Sequence, residues 1–248
     1  MRILIFFSFS FLITVVSCEH RPIYLNEKFG SKQIVVVKTG HQDSIKGQMV
    51  AYDWSDEHQQ WLIASKNIPI VVGDSGLAWG RGLHHDDFNK RPYKKEGDKR
   101  SPAGIFYLSS LFGYDTVEQL GNIKMPYIWA DSTVFCVDDP KSRFYNRIVD
   151  IDTAQKDWRS AERMLMDSIY YRYGVVIDYN YPDTRVGDGS CIFIHIWQNA
   201  FCGTLGCTAA DERVMKQIFL WLDKSQKPIL IQATEKEYQE LRGKYFLP

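Results

Sequence analysis

A succession of short apolar, β-branched runs, each closed by turn chemistry, sets the strongest limit on the fold. Ile34-Val35-Val36-Val37 within 32–38 is the clearest, and Ile68-Pro69-Ile70-Val71-Val72-Gly73 ends in Asp74-Ser75-Gly76. Branching at Cβ stiffens the side chain and suits a pleated strand. Asp, Ser and Gly supply the turns. Similar runs lie at 47–54, 61–65, 105–108 and 227–231, and at 134–137 before the turn Asp138-Asp139-Pro140. Helical spacing is rarer. Val214, Ile218, Trp221 and Leu222 share one helix face behind Asp211, a predicted N-cap. Ala161, Met164, Leu165, Ser168 and Ile169 predict a second helix within 157–173, and 235–241 predicts a third. Many short strands with few helices predict a mainly β, α+β domain, a β-sandwich or barrel with attached helices.

Arg2 followed by an apolar run over 3–16 reads as an export signal, being shorter than the roughly 20 residues of a membrane span. Val15-Val16-Ser17-Cys18 resembles the lipobox of bacterial lipoproteins. That resemblance implies cleavage before Cys18 and acylation of it, and two or more acyl chains give a lasting anchor. The expected organisation is a signal peptide over 1–17, a tether over 18–30 and one domain over 31–248. The expected location is outside the cytoplasm, membrane-anchored and facing the periplasm. Thirty basic residues balance thirty acidic ones, which argues against nucleic acid as the main partner. Export also permits disulfides among Cys136, Cys191, Cys202 and Cys207. With Cys207 free and Cys18 acylated, at least one more cysteine is unpaired or partners outside the chain, and the pairing stays open.

The chemistry concentrates in Ile192-Phe193-Ile194-His195 and Thr204-Leu205-Gly206-Cys207, with eleven residues between the histidine and the cysteine. A thiol needs a base to become a strong nucleophile near neutrality, and imidazole is the usual one. Gly206 lets the backbone approach a reacting carbonyl. The plainer alternatives are a buried apolar cysteine and a satisfied core histidine.

These two stretches resemble the L,D-transpeptidase catalytic domain (the YkuD-like type), with its histidine followed by Ser/Thr-x-Gly-Cys. Gly97-Asp98-Lys99-Arg100-Ser101-Pro102-Ala103-Gly104-Ile105-Phe106 is similar to the family's upstream block, and Gly73 to Gly80 to the segment that often precedes it. The likeness covers 68–222, apart from an insertion near 113–188. Thr208-Ala209 stands where well-known members carry Arg or Asn two residues after the cysteine, and the His-to-Cys gap is short.

The resemblance implies that Cys207 forms a thioacyl-enzyme with a peptidoglycan tetrapeptide stem while His195 manages the proton. The acyl group then passes to an amine of a second stem or to a lysine of a wall-attached protein. With water as acceptor the enzyme is a carboxypeptidase. Backbone N–H groups at Gly206 and Cys207 are the expected oxyanion donors. Thr204 either binds substrate or shapes the turn, Arg100 either meets a substrate carboxylate or makes a structural ion pair, and Trp197 is either a wall for the stem or, as the expected case, a core aromatic. A backbone carbonyl is expected to orient His195. The helix after Cys207 begins too late for its dipole to matter much.

No cofactor and no catalytic metal are expected. His84-His85-Asp86-Asp87 belongs to a polar segment, 84–99, that reads as a solvated loop, and adjacent extended side chains point opposite ways. Papain-like enzymes place the cysteine before the histidine, the reverse of the order here. A non-catalytic, lipid-anchored wall-binding module is the alternative from a different class.

Overall fold

The computed structural model describes residues 23–84 and 92–248. Cys18, the expected signal segment and His85, Asp86 and Asp87 lie outside them. In chain order the elements begin with β1 (Ile23–Tyr24), α1 (Leu25–Phe29), β2 (Gln33–Thr39), β3 (Lys46–Ser55), β4 (Gln60–Val71), β5 (Leu77–Trp79) and β6 (Ser101–Gly113). The middle of the chain holds α2 (Val117–Leu120), β7 (Tyr127–Trp129), β8 (Val134–Val137), β9 (Arg147–Asp150), β10 (Ala161–Arg163) and β11 (Tyr173–Ile177). The last third holds β12 (Phe193–Ile196), β13 (Thr208–Ala210), α3 (Glu212–Trp221), β14 (Ile229–Thr234), α4 (Glu235–Lys244) and β15 (Tyr245–Phe246).

Eight of these strands form a closed ring in the order β2-β3-β4-β13-β12-β11-β6-β14, and β14 returns to β2. The expected barrel is therefore what forms. β2 shows why its sequence is a continuous apolar run: Ile34, Val35, Val36 and Val37 are all 2% exposed or less. One face of β2 fills the ring, and α4 packs against β2 and β14 from outside. α3 packs against β11 and β12, with the Phe219 ring edge-on to Tyr173. Its cap is as expected, with Asp211 accepting from the Arg213 N–H.

The runs at 61–65 and 68–72 are one strand, not two. β4 continues through Asn67, whose φ of 58° marks an irregularity where the pairing with β3 slips. The expected tether is also shorter than 18–30. Tyr24 packs on Trp54 and Phe246, Leu25 is fully buried, and β1 pairs in parallel with β15. Aromatic burial draws this segment onto the β3–β4 hairpin, so the folded unit starts before residue 31.

The helix expected within 157–173 is absent. β8 is an apolar strand that needs partners, and Ala161–Arg163 and Arg147–Asp150 supply them on its two sides. Tertiary pairing overrides a weak helical pattern here. The insertion is consequently smaller than 113–188, because β7 and β11 belong to the main sheet. What stands apart is the three-stranded sheet β8–β10. A disulfide between Cys136 on β8 and Cys191, two residues before β12, fastens it to the barrel.

Candidate active site

His195, on β12, and Cys207, one residue before β13, stand on the same side of the sheet that these strands form. β12 and β13 run parallel, with Ile194 beside Thr208 and His195 beside Ala209. Carrying that register back one residue sets Cys207 beside Phe193, whose N–H donates to Cys207 Sγ at 3.3 Å. Phe193 and His195 are two apart on one strand, so their side chains leave the same face. Ile194 and Ile196 point the other way, into the barrel core. Cys207 instead joins a second core with Phe112, Met164, Tyr171, Phe193 and the disulfide. The nucleophile candidate thus sits between the barrel and the small sheet.

The turn before Cys207 is fixed by hydroxyls. The Cys207 carbonyl accepts from Thr204 Oγ1 at 2.5 Å and from Ser101 Oγ at 2.7 Å. Ser101 is fully buried and also accepts from the Gly73 N–H. Gly206 has φ 149°, a conformation that favours glycine. Its N–H is committed to Thr204 Oγ1 at 3.1 Å, which leaves the Cys207 N–H as the donor of that pair for an oxyanion. Thr204 is therefore a brace for the turn, although it also borders the pocket. Behind the turn, Thr208 donates to Gln232, which donates to the Pro102 carbonyl, a buried chain linking β13, β14 and β6.

The ring of His195 is oriented by a backbone carbonyl, as expected. Nδ1 lies 2.8 Å from the Ile196 oxygen. A carbonyl only accepts, so Nδ1 carries the hydrogen and Nε2 keeps a free lone pair. Burial pushes the His195 pKa down to about 4, and the Ile196 carbonyl partly opposes this. Burial raises the Cys207 thiol to about 12, with a further push from Glu162. The resting pair is consequently a neutral thiol and a neutral imidazole. Desolvation outweighs the buried Lys94, the nearby cation that favours the anion.

A pocket of about 650 Å³ opens over the pair, within the usual size for a ligand site. Trp197 lines it, half-buried, and is not a core residue as expected. Arg100 does not line it. Its guanidinium donates to Asp43 at 2.7 Å and to the Leu77 carbonyl at 3.0 Å, so its role in meeting a substrate carboxylate gives way to a structural one. Ala209 is fully buried on β13, between β12 and β4.

The far wall comes from the insertion sheet and its return loop. Glu162 on β10 accepts from the Tyr171 hydroxyl, and the Tyr171 ring meets the His195 ring edge-on at 5.2 Å. Burial and nearby Asp138 raise the Glu162 carboxyl to about 7. Sequence reading missed both residues. Asp139 turns the chain as expected, accepting from Lys141 and Arg159 N–H groups, but Asp138 borders the pocket.

Two described residues of the segment 84–99, His84 and Lys94, are buried where a solvated loop was expected. His84 is 4% exposed, lies against Trp79, and accepts from the Ile105 N–H through Nδ1. A Cβ on Gly104 would fall 2.1 Å from its ring, so glycine is required there. Lys94 is 2% exposed and donates to Asp98 and the Lys95 carbonyl. Among the described residues no group of three or more His, Cys, Asp or Glu is placed to hold a metal ion. Cys202 is free and exposed, and Cys207 is free and buried.

A protein-family model described as the L,D-transpeptidase catalytic domain (YkuD) matches residues 32–231. No curated protein and no solved structure matches the chain.

Proposed function

The chain belongs to the L,D-transpeptidase catalytic domain family, and from that premise we propose that it is a peptidoglycan L,D-transpeptidase with Cys207 as nucleophile. The observation that carries the proposal is the shared face: Cys207 and the free Nε2 side of His195 border one peptide-sized pocket.

Cys207 Sγ attacks the amide carbonyl that joins the third residue of a tetrapeptide stem to the terminal D-alanine. Its proton passes to Nε2 of His195 as the C–S bond forms, since neither group is ionised beforehand. The tetrahedral oxyanion is met by the Cys207 N–H, a type of contact worth roughly 3 kcal/mol. His195 then gives the proton to the departing D-alanine nitrogen as the C–N bond breaks. An amine of a second stem attacks the thioester, loses its proton to His195 and restores the thiol. Proton transfer of this kind contributes about 10²–10⁴ in rate.

Purified tetrapeptide muropeptides and mass spectrometry test the reading. Wild type is expected to make dimers cross-linked through the third residues of both stems, and Cys207→Ser none. Stems shortened by one D-alanine would make the protein the hydrolytic variant, with water as acceptor. Products unchanged in Cys207→Ser would remove Cys207 from the reaction. We propose further that Cys18 is acylated and holds the enzyme at a membrane facing the periplasm. Acyl labelling that persists in Cys18→Ser would refute that anchor.

A further inference from the structure

Four carboxyl side chains line the pocket, those of Asp74, Glu96, Asp138 and Glu162, against one lysine, Lys99. The chain as a whole is balanced at 30 basic and 30 acidic residues, so this excess is local. Two of the four have protein partners. Glu96 Oε2 accepts from Tyr145 and Ser190 hydroxyls, and Asp74 lies 3.9 Å from Lys99 at the exposed rim. The two on the insertion sheet differ. Glu162 is held only through Oε1 by Tyr171, and Asp138 Oδ1 is buried without a hydrogen-bond partner. Among the described residues, neither forms a salt bridge.

A buried carboxyl beside a second carboxyl ionises at a high cost unless a cation joins them. Among the described residues, no Lys or Arg of that wall lines the pocket, so the cation has to arrive with the ligand. Tyr171 bridges Glu162 to the His195 ring, which puts the carboxyl next to the reacting groups and not at the rim. We propose that Glu162, seconded by Asp138, receives a primary ammonium group on the peptide bound beside Cys207, and so selects peptides whose diamino acid keeps a free side-chain amine. This deepens the transpeptidase reading and rests on it for the identity of the peptide.

Binding to the full-length Cys207→Ala protein separates the two ideas, because no turnover is needed. The probes are a stem-like tetrapeptide with L-lysine at position three and D-alanine at its end, and the same peptide acetylated on the lysine amine. The free amine is expected to bind about tenfold tighter. Adding Glu162→Gln, which keeps the volume and the acceptor for Tyr171, narrows that preference to about twofold or less. Asp138→Asn narrows it partly. A merely structural role would weaken both peptides equally and leave the ratio intact. Equal affinities in the Cys207→Ala protein, an unchanged ratio in Glu162→Gln, or no binding of either peptide would overturn the proposal. Should Glu162→Gln fail to fold, the ratio in the parent and in Asp138→Asn still decides. Turnover that survives Cys207→Ser would instead count against the reaction and leave the binding preference standing.

Discussion

The pocket has two walls built on opposite plans. The barrel wall carries His195 on β12 and Cys207 at the entry to the adjacent β13, in a closed hydrogen-bonded ring backed by a buried polar chain and a buried core. The insertion wall carries Glu162 on β10 and Asp138 just past the end of β8, in a sheet of three strands of three or four residues each. Small sheets bury little and are marginal alone, and this one is fastened by the Cys136–Cys191 bridge. Under the proposed function, the difference separates chemistry from selection. Groups that must hold position to a fraction of an ångström stand on the rigid wall. Groups that meet the variable part of a ligand stand on an appended one.

Substitutions on the rigid wall should have the largest effects. Cys207→Ala is expected to abolish the thioacyl-enzyme seen by intact mass, with product formation down on the order of 10³-fold or more. His195→Gln should lower kcat by about 10²–10⁴ with the fold intact by circular dichroism. A variant at either position that retains near-normal rates would erase the division of labour.

Next comes the fastening. The bridge closes a loop of 55 residues in sequence. The double change Cys136→Ser, Cys191→Ser should cost about 2–4 kcal/mol in urea unfolding. Peptide selectivity should fall further than the rate of Cys207 acylation by a small activated ester. Equal losses would mean that the walls are one unit.

Smaller effects come from titration on the two walls, which have opposite signs. His195 has a depressed pKa, so its contribution holds above the unfolded value near 6.5 and is lost as pH falls towards 4. Glu162 has a raised pKa, so the stability of its neutral form is present below about 4.5 and is lost as pH rises through 7. Glu162→Gln should therefore gain on wild type between pH 5 and 8, by on the order of 1–2 kcal/mol, as seen in thermal melts. A flat difference would mean that Glu162 is ionised throughout. The smallest change is expected from Arg100→Lys: stability within about 1 kcal/mol of wild type and an unaltered KM, since its partner Asp43 is largely exposed. A large rise in KM would return Arg100 to the substrate.

What the sequence made legible follows the same division. Ile34 to Val37 and Val134 to Val137 read as strands because β-branched runs need no distant information, and α3 read as a helix because Asp211 and its apolar stripe are local. Cys207, His195 and Gly206 were visible as a short motif. Ser101 also lay in a recognised block, but its grip on the Cys207 carbonyl joins positions 106 apart. Glu162 and Tyr171 gave no local signal, because folding alone carries them to the thiol. The stretch around them suggested a helix, and β8 overrode it by pairing. His84 and Lys94 looked solvated from composition, yet each is buried by a specific partner, Ile105 N–H for one and Asp98 for the other.

The closed ring has one more consequence. β12 is hydrogen-bonded on both sides, to β11 and β13, and β13 in turn to β4. Neither barrel strand beside the sulfur offers a bare edge, so a bound peptide has no way to join the barrel by β-augmentation, the backbone-to-backbone grip that reads any sequence alike. Discrimination on the barrel side must therefore come from side chains, not from the backbone.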